Sequence, residues 1–197
     1  MLREEKKARA RAAMADAAAA LFAEHGYDGV AMTQVARAAG VSEQTLYNYF
    51  PTKESLVFDQ ADAFEATMLA TLAGRGPDGD LLDAYRRWLD AFLLGPAARR
   101  AVENPGGMVR LVAGSDALRR ALLDLAHHVA GALGPELERT AGYAPAAATA
   151  LADGLVAVFV RTVERLGAAP NRRAVPAVTR RAHEALDALR PLVHSRS

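Results

Sequence analysis

Met14, Ala17, Ala18, Leu21 and Phe22 recur at the 3.6-residue period of a helix, in a run that opens near Glu4 and closes at Gly26. The same period returns along the chain, whereas no stretch sustains the apolar–polar alternation of a half-buried strand. Isoleucine is absent and aromatic residues are few, which further weakens any β reading. Such a chain can bury its apolar stripes only by packing helix on helix, so the expected fold class is all-α. Glycine and proline set the breaks. The expected helices are 4–25, 33–39, 42–50 and 52–73, then a linker at GRGPDGD (74–80). Beyond it lie helices at 80–94, 97–103, 107–113, 116–133, 145–166 and 176–193. Pro176 belongs in a first turn, where its missing N–H costs nothing.

With 197 residues and an ordinary apolar share, the chain can afford a real core. The absence of cysteine removes disulfides and thiolate metal sites and fits a reducing, cytoplasmic setting. MLREEKKARARAAM is charged and carries no apolar signal core, and uninterrupted apolar runs such as 155–160 are far shorter than the ~20 residues of a membrane helix. Net charge is +1, which announces no nucleic-acid partner. All three lysines, Lys6, Lys7 and Lys53, nevertheless fall in the first quarter of the chain.

Residues 33–50 read as two short helices joined by a tight turn. Ala36 is small enough for close helix approach, Gly40 permits a left-handed turn, and Ser42 can cap the next helix. Val35, Val41 and Leu46 supply the apolar contacts. Glu43, Gln44, Tyr47 and Asn48 are then left outward on the second helix, which at about nine residues is ~13 Å long. Glutamine and asparagine can pair bidentately with adenine, and a carboxylate can accept from cytosine. Hydroxyls of Thr33, Thr45, Tyr47 and Tyr49 suit phosphate oxygens, as does Lys53. Glu43 has two open readings: it accepts from cytosine, or it complements the helix N-terminus. REEKKARAR likewise stays open between phosphate or minor-groove contacts from Arg3, Lys6, Lys7, Arg9 and Arg11 and a solvated helical turn.

MTQVARAAGVSEQTLYNYFPTKESL resembles the DNA-binding signature of TetR-type transcriptional regulators. The likeness lies in the threonine opening helix two, the A-x-x-A-G-V-S turn, and T-L-Y-x-Y-F followed by K-E-x-L. It implies an N-terminal three-helix helix-turn-helix domain (1–51) and a larger helical ligand-binding and dimerisation domain (52–197), about nine helices in total. Carried over by position, Gln44 and Asn48 face base edges, with Glu43 beside them. Thr33, Thr45, Tyr47, Tyr49 and Lys53 sit on the sugar–phosphate backbone. The resemblance further implies a homodimer on a palindromic double-stranded operator, about one DNA turn (~34 Å) between recognition helices. A small apolar or amphipathic effector would release it, which is the behaviour of a repressor.

In the larger domain Tyr85, Trp88 and Phe92 share a helix face, and Met108, Leu111, His128, Phe159 and Thr162 are further pocket candidates. Leu122, Leu125 and Val129 join them. Phe58, Phe64, Met68 and Leu72 keep helical spacing and are expected to touch both domains. The last two helices would form the dimer interface through Leu151, Leu155, Val158, Val178, Leu186 and Leu189, with Ala147, Ala150 and Gly154 allowing close approach.

Other functions find little footing. His127 and His128 are adjacent rather than four apart, His183-Glu184 lacks the second histidine of a zinc-protease motif, and Ser115 is not in a G-x-S-x-G elbow. No catalytic constellation, cofactor or metal site is expected. The remaining alternatives are a helical interaction protein whose helix-turn-helix does not bind DNA and, last, a helical enzyme of unrecognised type.

Overall fold

The computed structural model describes residues 2–74, 79–94, 104–105, 107–169 and 171–193. Among them are eleven α-helices and no strand. The N-terminal domain comprises α1 (Leu2–His25), α2 (Met32–Ala38) and α3 (Glu43–Tyr49). Its core is the expected stripe: Met14, Ala18 and Phe22 of α1 meet Val35 and Ala36 of α2 and Leu46 and Phe50 at α3, each at most 2% exposed. Ala17 and Leu21 lie at the edge of that stripe, partly exposed.

The turn between α2 and α3 forms for local reasons. Gly40 takes φ +68°, a left-handed conformation that a side chain would disfavour. Val41 N–H then donates to the Ala36 carbonyl at 3.0 Å. Ser42 Oγ accepts from Thr45 N–H at 3.1 Å and so caps α3.

The helix expected over 52–73 divides into α4 (Lys53–Val57) and α5 (Ala61–Ala73). Thr52 caps α4 by accepting from Ser55 N–H at 3.2 Å. Phe58 ends it with φ −99° and ψ 31°, outside the helical region. Asp59 and Gln60 occupy the bend, where Asp59 is drawn to Arg11 of α1. Leu56, Met68 and Leu72 are all buried in the common core.

α6 (Leu81–Leu94), α7 (Met108–Gly114), α8 (Asp116–Ala141), α9 (Pro145–Ala168), α10 (Val175–Asp187) and α11 (Arg190–Val193) build the larger domain. A single 3₁₀ turn, Arg172–Ala174, precedes α10. The helix expected at 97–103 lies outside the described residues. Contrary to the break expected at Gly134-Pro135, α8 continues through Pro135 to Ala141. Proline removes one N–H and disfavours this, but Leu133 and Leu137 on either side are almost wholly buried and Gly134 lies against α9 at Thr149. Tertiary packing outweighs the local penalty. The last helix, expected unbroken over 176–193, divides at Ala188–Leu189. A side chain at Gly154 would come within 2.8 Å of Leu189, so the close approach there is within one chain.

α9 is the spine, packed against α7, α8 and α10. By length and composition it could cross a membrane, but half of its apolar stretch is buried inside the chain. The two domains meet at named contacts. Ser115, which caps α8, donates through Oγ to Asp28 Oδ1 in the α1–α2 loop at 3.1 Å, and Arg11 holds Asp59.

Candidate nucleic-acid interface and effector cavity

α3 presents one dry face and one wet face. Leu46 and Phe50 are fully buried, and Val41 just ahead of the helix is partly buried. Glu43, Gln44, Tyr47 and Asn48 are exposed, as is Thr33 at the second position of α2. Tyr47, at 44% exposure, is one of few large apolar groups left in solvent. Thr45 and Tyr49 are half-buried; the Thr45 hydroxyl shares a 2.8 Å hydrogen bond with the Ser42 hydroxyl. Gln44 Nε2 donates to Asn48 Oδ1 at 3.1 Å, so the two expected base readers are paired one helical turn apart. Glu43 stands in the first turn of α3, where its charge complements the helix N-terminus.

Lys53 opens α4 with its ammonium 4.1 Å above the Tyr27 ring and 5.9 Å from that of Phe22. Partial desolvation lowers its pKa below the usual lysine value, against the pull of Asp28 and Glu54. Tyr27 itself donates to Glu54 Oε1 at 2.8 Å. Burial and that bond push the phenol up. Partial burial works to raise Glu54, but hydrogen bonds from its own backbone, Tyr27 and Thr52, with Lys53's charge, hold it below the usual range. This cluster fixes α4 against the end of α1 and the loop that follows it, just beyond α3.

Arg11 is not the free basic residue that its neighbours on α1 suggest. Its guanidinium bonds Asp59 and the Tyr49 carbonyl and lies 4.4 Å over the Phe50 ring. With its side chain 40% exposed, it is held at the edge of the domain by these contacts rather than left free in solvent.

In the larger domain Phe64 is the hub of an aromatic cluster. Its ring centroid lies 4.5 Å from Trp88, 4.8 Å from Phe159 and 5.3 Å from Phe92, with Tyr85 a further 5.1 Å from Trp88. Phe64, Met68, Tyr85, Trp88, Val129 and Phe159 surround an apolar cavity of about 40 Å³. Ligand pockets run to ~300–1,000 Å³, so this one is closed and must open to admit more than a water-sized group. Tyr85 donates to the Leu155 carbonyl at 2.7 Å and Thr162 to that of Val158 at 2.7 Å, so both hydroxyls are already satisfied.

Of the expected pocket residues, Tyr85, Trp88 and Phe159 line this cavity, as do Leu122, Leu125 and Val129. Phe92 stacks on its outer side, toward a surface groove. The others lie elsewhere. Met108 and Leu111 face α1 and α4 across the domain seam, Thr162 is buried against its own helix, and His128 is exposed. Phe64 and Met68 are expected inter-domain contacts, and their i, i+4 spacing equally describes two rungs of a cavity wall.

Leu151, Leu155 and Leu186 are fully buried in the chain's own core, with Val158 and Val178 nearly so and Leu189 packed against Gly154. Leu151, Leu155 and Leu186 are thus covered by their own chain, whereas Leu189 stays partly exposed. An apolar helical stripe does not reveal whether its cover comes from the same chain or another. Among the described residues, no group of three or more histidine, aspartate or glutamate side chains could hold a metal ion.

Residues 15–59, from α1 to the bend beyond α4, match the family model of the bacterial regulatory proteins of the tetR family. Over those residues the chain is similar to the TetR family. That is a family of regulators rather than of enzymes. It is 33% identical over 79 residues to a Mycobacterium tuberculosis protein named as a mycofactocin biosynthesis transcriptional regulator, MftR; the match spans 40% of either chain. Among solved structures, Salmonella enterica GusR superposes with a TM-score of 0.55 at 21% identity, covering 92% of this chain and 95% of that one. The TetR-family repressor AlkX from Dietzia sp. gives 0.54 at 19% identity over 93% and 96%. At such identities the shared property is the TetR-family fold, and it extends across both domains.

Proposed function

We propose that the chain is a cytoplasmic, ligand-responsive transcriptional repressor that binds a palindromic DNA operator as a homodimer. The reading rests chiefly on α3. Its Leu46 side is fully buried, while Gln44, Tyr47 and Asn48 stand in solvent on a helix long enough for a major groove. Gln44 and Asn48 read base edges, and Thr33, Thr45, Tyr47, Tyr49 and Lys53 contact phosphates. Glu43 serves the helix end, since it occupies the first position of α3. Residues 1–51 form the DNA-binding unit and 52–197 the effector-binding and dimerising unit, with α4 joining them.

The effector is small and apolar, because the cavity walls are apolar apart from Glu65 and the Tyr85 hydroxyl is already paired. It acts by binding better to an opened cavity than to the closed one. A second copy is best accommodated on the shallow groove between α8 and α9, where Leu123 is 53% exposed beside Ala157. Selection of duplexes from a random-sequence pool tests the reading: it predicts one enriched inverted repeat, and recovery of none by the folded protein would refute it.

A further inference from the structure

We infer that Arg11 is a positioning residue for α3, tying the end of the reading helix to the bend from which the cavity wall begins. The inference rests on the DNA-binding role proposed for α3. Tyr49 is the last residue of α3, and its carbonyl belongs to the group that a helix end leaves without an intrahelical donor. Arg11 Nη1 donates to it at 2.8 Å. The guanidinium also brings positive charge to the negative end of the helix and covers the adjacent Phe50 ring at 4.4 Å. One side chain from α1 thus caps the end of α3, which Pro51 terminates by holding Phe50 extended.

The other arm of the guanidinium leads toward the cavity. Arg11 Nε donates to Asp59 Oδ1 at 2.5 Å, and Gln60 Nε2 donates to Asp59 Oδ2 at 2.9 Å. The Asp59 side chain is only 12% exposed. It sits in the bend between α4 and α5, and two residues later α5 begins with Ala61, followed by Phe64, Glu65 and Met68 on the cavity wall. Opening the cavity requires α5 or its neighbours to shift, and Asp59, nearest to the start of α5, is one point on that path which grips the N-terminal domain. Arginine's planar fork reaches two acceptors on different elements, which a lysine ammonium matches poorly. Arg11 therefore conveys the position of α5 to the end of α3 without touching DNA itself.

Binding constants of wild type, Arg11→Met, Asp59→Asn and the double variant test this, on the duplex enriched by wild type and on an unrelated duplex across a salt series. Each single variant is expected to weaken the enriched duplex about tenfold, the scale of network couplings. Binding to the unrelated duplex and the salt slope should not change, and the double variant should bind no more weakly than the weaker single. Arg11→Lys should not restore binding. Equal loss on both duplexes with the slope reduced by about one would make Arg11 a phosphate contact and overturn the inference. Additive effects, or a silent Asp59→Asn, would overturn it as well. Should Arg11→Met not fold by circular dichroism, the isosteric Asp59→Asn decides by the same criteria. Failure of wild type to enrich any duplex removes the DNA-binding reading and this inference together; enrichment with silent variants removes only the role of Arg11.

Discussion

Gln44 donates its side-chain N–H to the Asn48 side-chain oxygen at 3.1 Å on the exposed face of α3. The bond leaves the Asn48 amide N–H groups and the Gln44 oxygen available, while Asn48 Oδ1 keeps a second lone pair. Gln44 can therefore orient Asn48 as well as read a base of its own. Gln44→Ala should reduce preference at the base facing Asn48 in addition to its own position. A double-mutant cycle with Asn48→Ala, read as affinities for single-base operator variants, should show a coupling on the order of 0.5–3 kcal/mol. Strict additivity would mean that the two side chains act separately.

Lys53 rests over the Tyr27 ring, partly exposed at the start of α4. Lys53→Ala should weaken binding to all duplexes alike and lower the salt slope by about one unit. Titrations at several salt concentrations measure both. A loss confined to one sequence would point to base reading instead.

Tyr27→Phe should make stability less dependent on Glu54. The Glu54 carboxyl is held below its ordinary value, so its contribution is present above the unfolded value and is lost as pH falls through the folded one. At neutral pH Tyr27→Phe should melt below wild type. The gap should close as the pH drops below the usual glutamate value of about 4.3. Thermal unfolding at a series of pH values reads this directly, and a gap that widened in acid would reverse the assignment.

Trp88 is the chain's only tryptophan and lies in the cavity wall. Its emission should therefore report effector binding. Phe64→Ala removes the hub ring and should let a neutral apolar dye, N-phenyl-1-naphthylamine, bind more tightly with a change in Trp88 emission. Its stability cost should fall short of the ~3–5 kcal/mol of a fully buried Phe→Ala, because Phe64 is only partly buried. An unchanged dye affinity would place the effector elsewhere.

What local chemistry decides was legible in the sequence. Gly40 turns, Ser42 caps, and Leu46 and Phe50 go inward because each depends on neighbours within a few residues. Long-range pairs left no such signal: Arg11 and Asp59 are 48 residues apart, and Asp28 and Ser115 are 87 apart. Pro135 misled because burial of Leu133 and Leu137 outweighs a lost hydrogen bond. Leu151, Leu155 and Leu186, expected at an interface, are buried by their own chain. Their spacing correctly marked a buried face but not which chain buries it.

The central claim is that α3 reads DNA sequence, and the most direct measurement compares the duplexes selected by wild type and by Asn48→Ala from one random-sequence pool. Wild type should enrich an inverted repeat with half-sites about one helical turn apart, ~34 Å. Asn48→Ala should keep the same spacing but lose preference at one base pair in each half-site, worth roughly 1–3 kcal/mol. Identical sites from both proteins, or no repeat from a folded wild type, would contradict it.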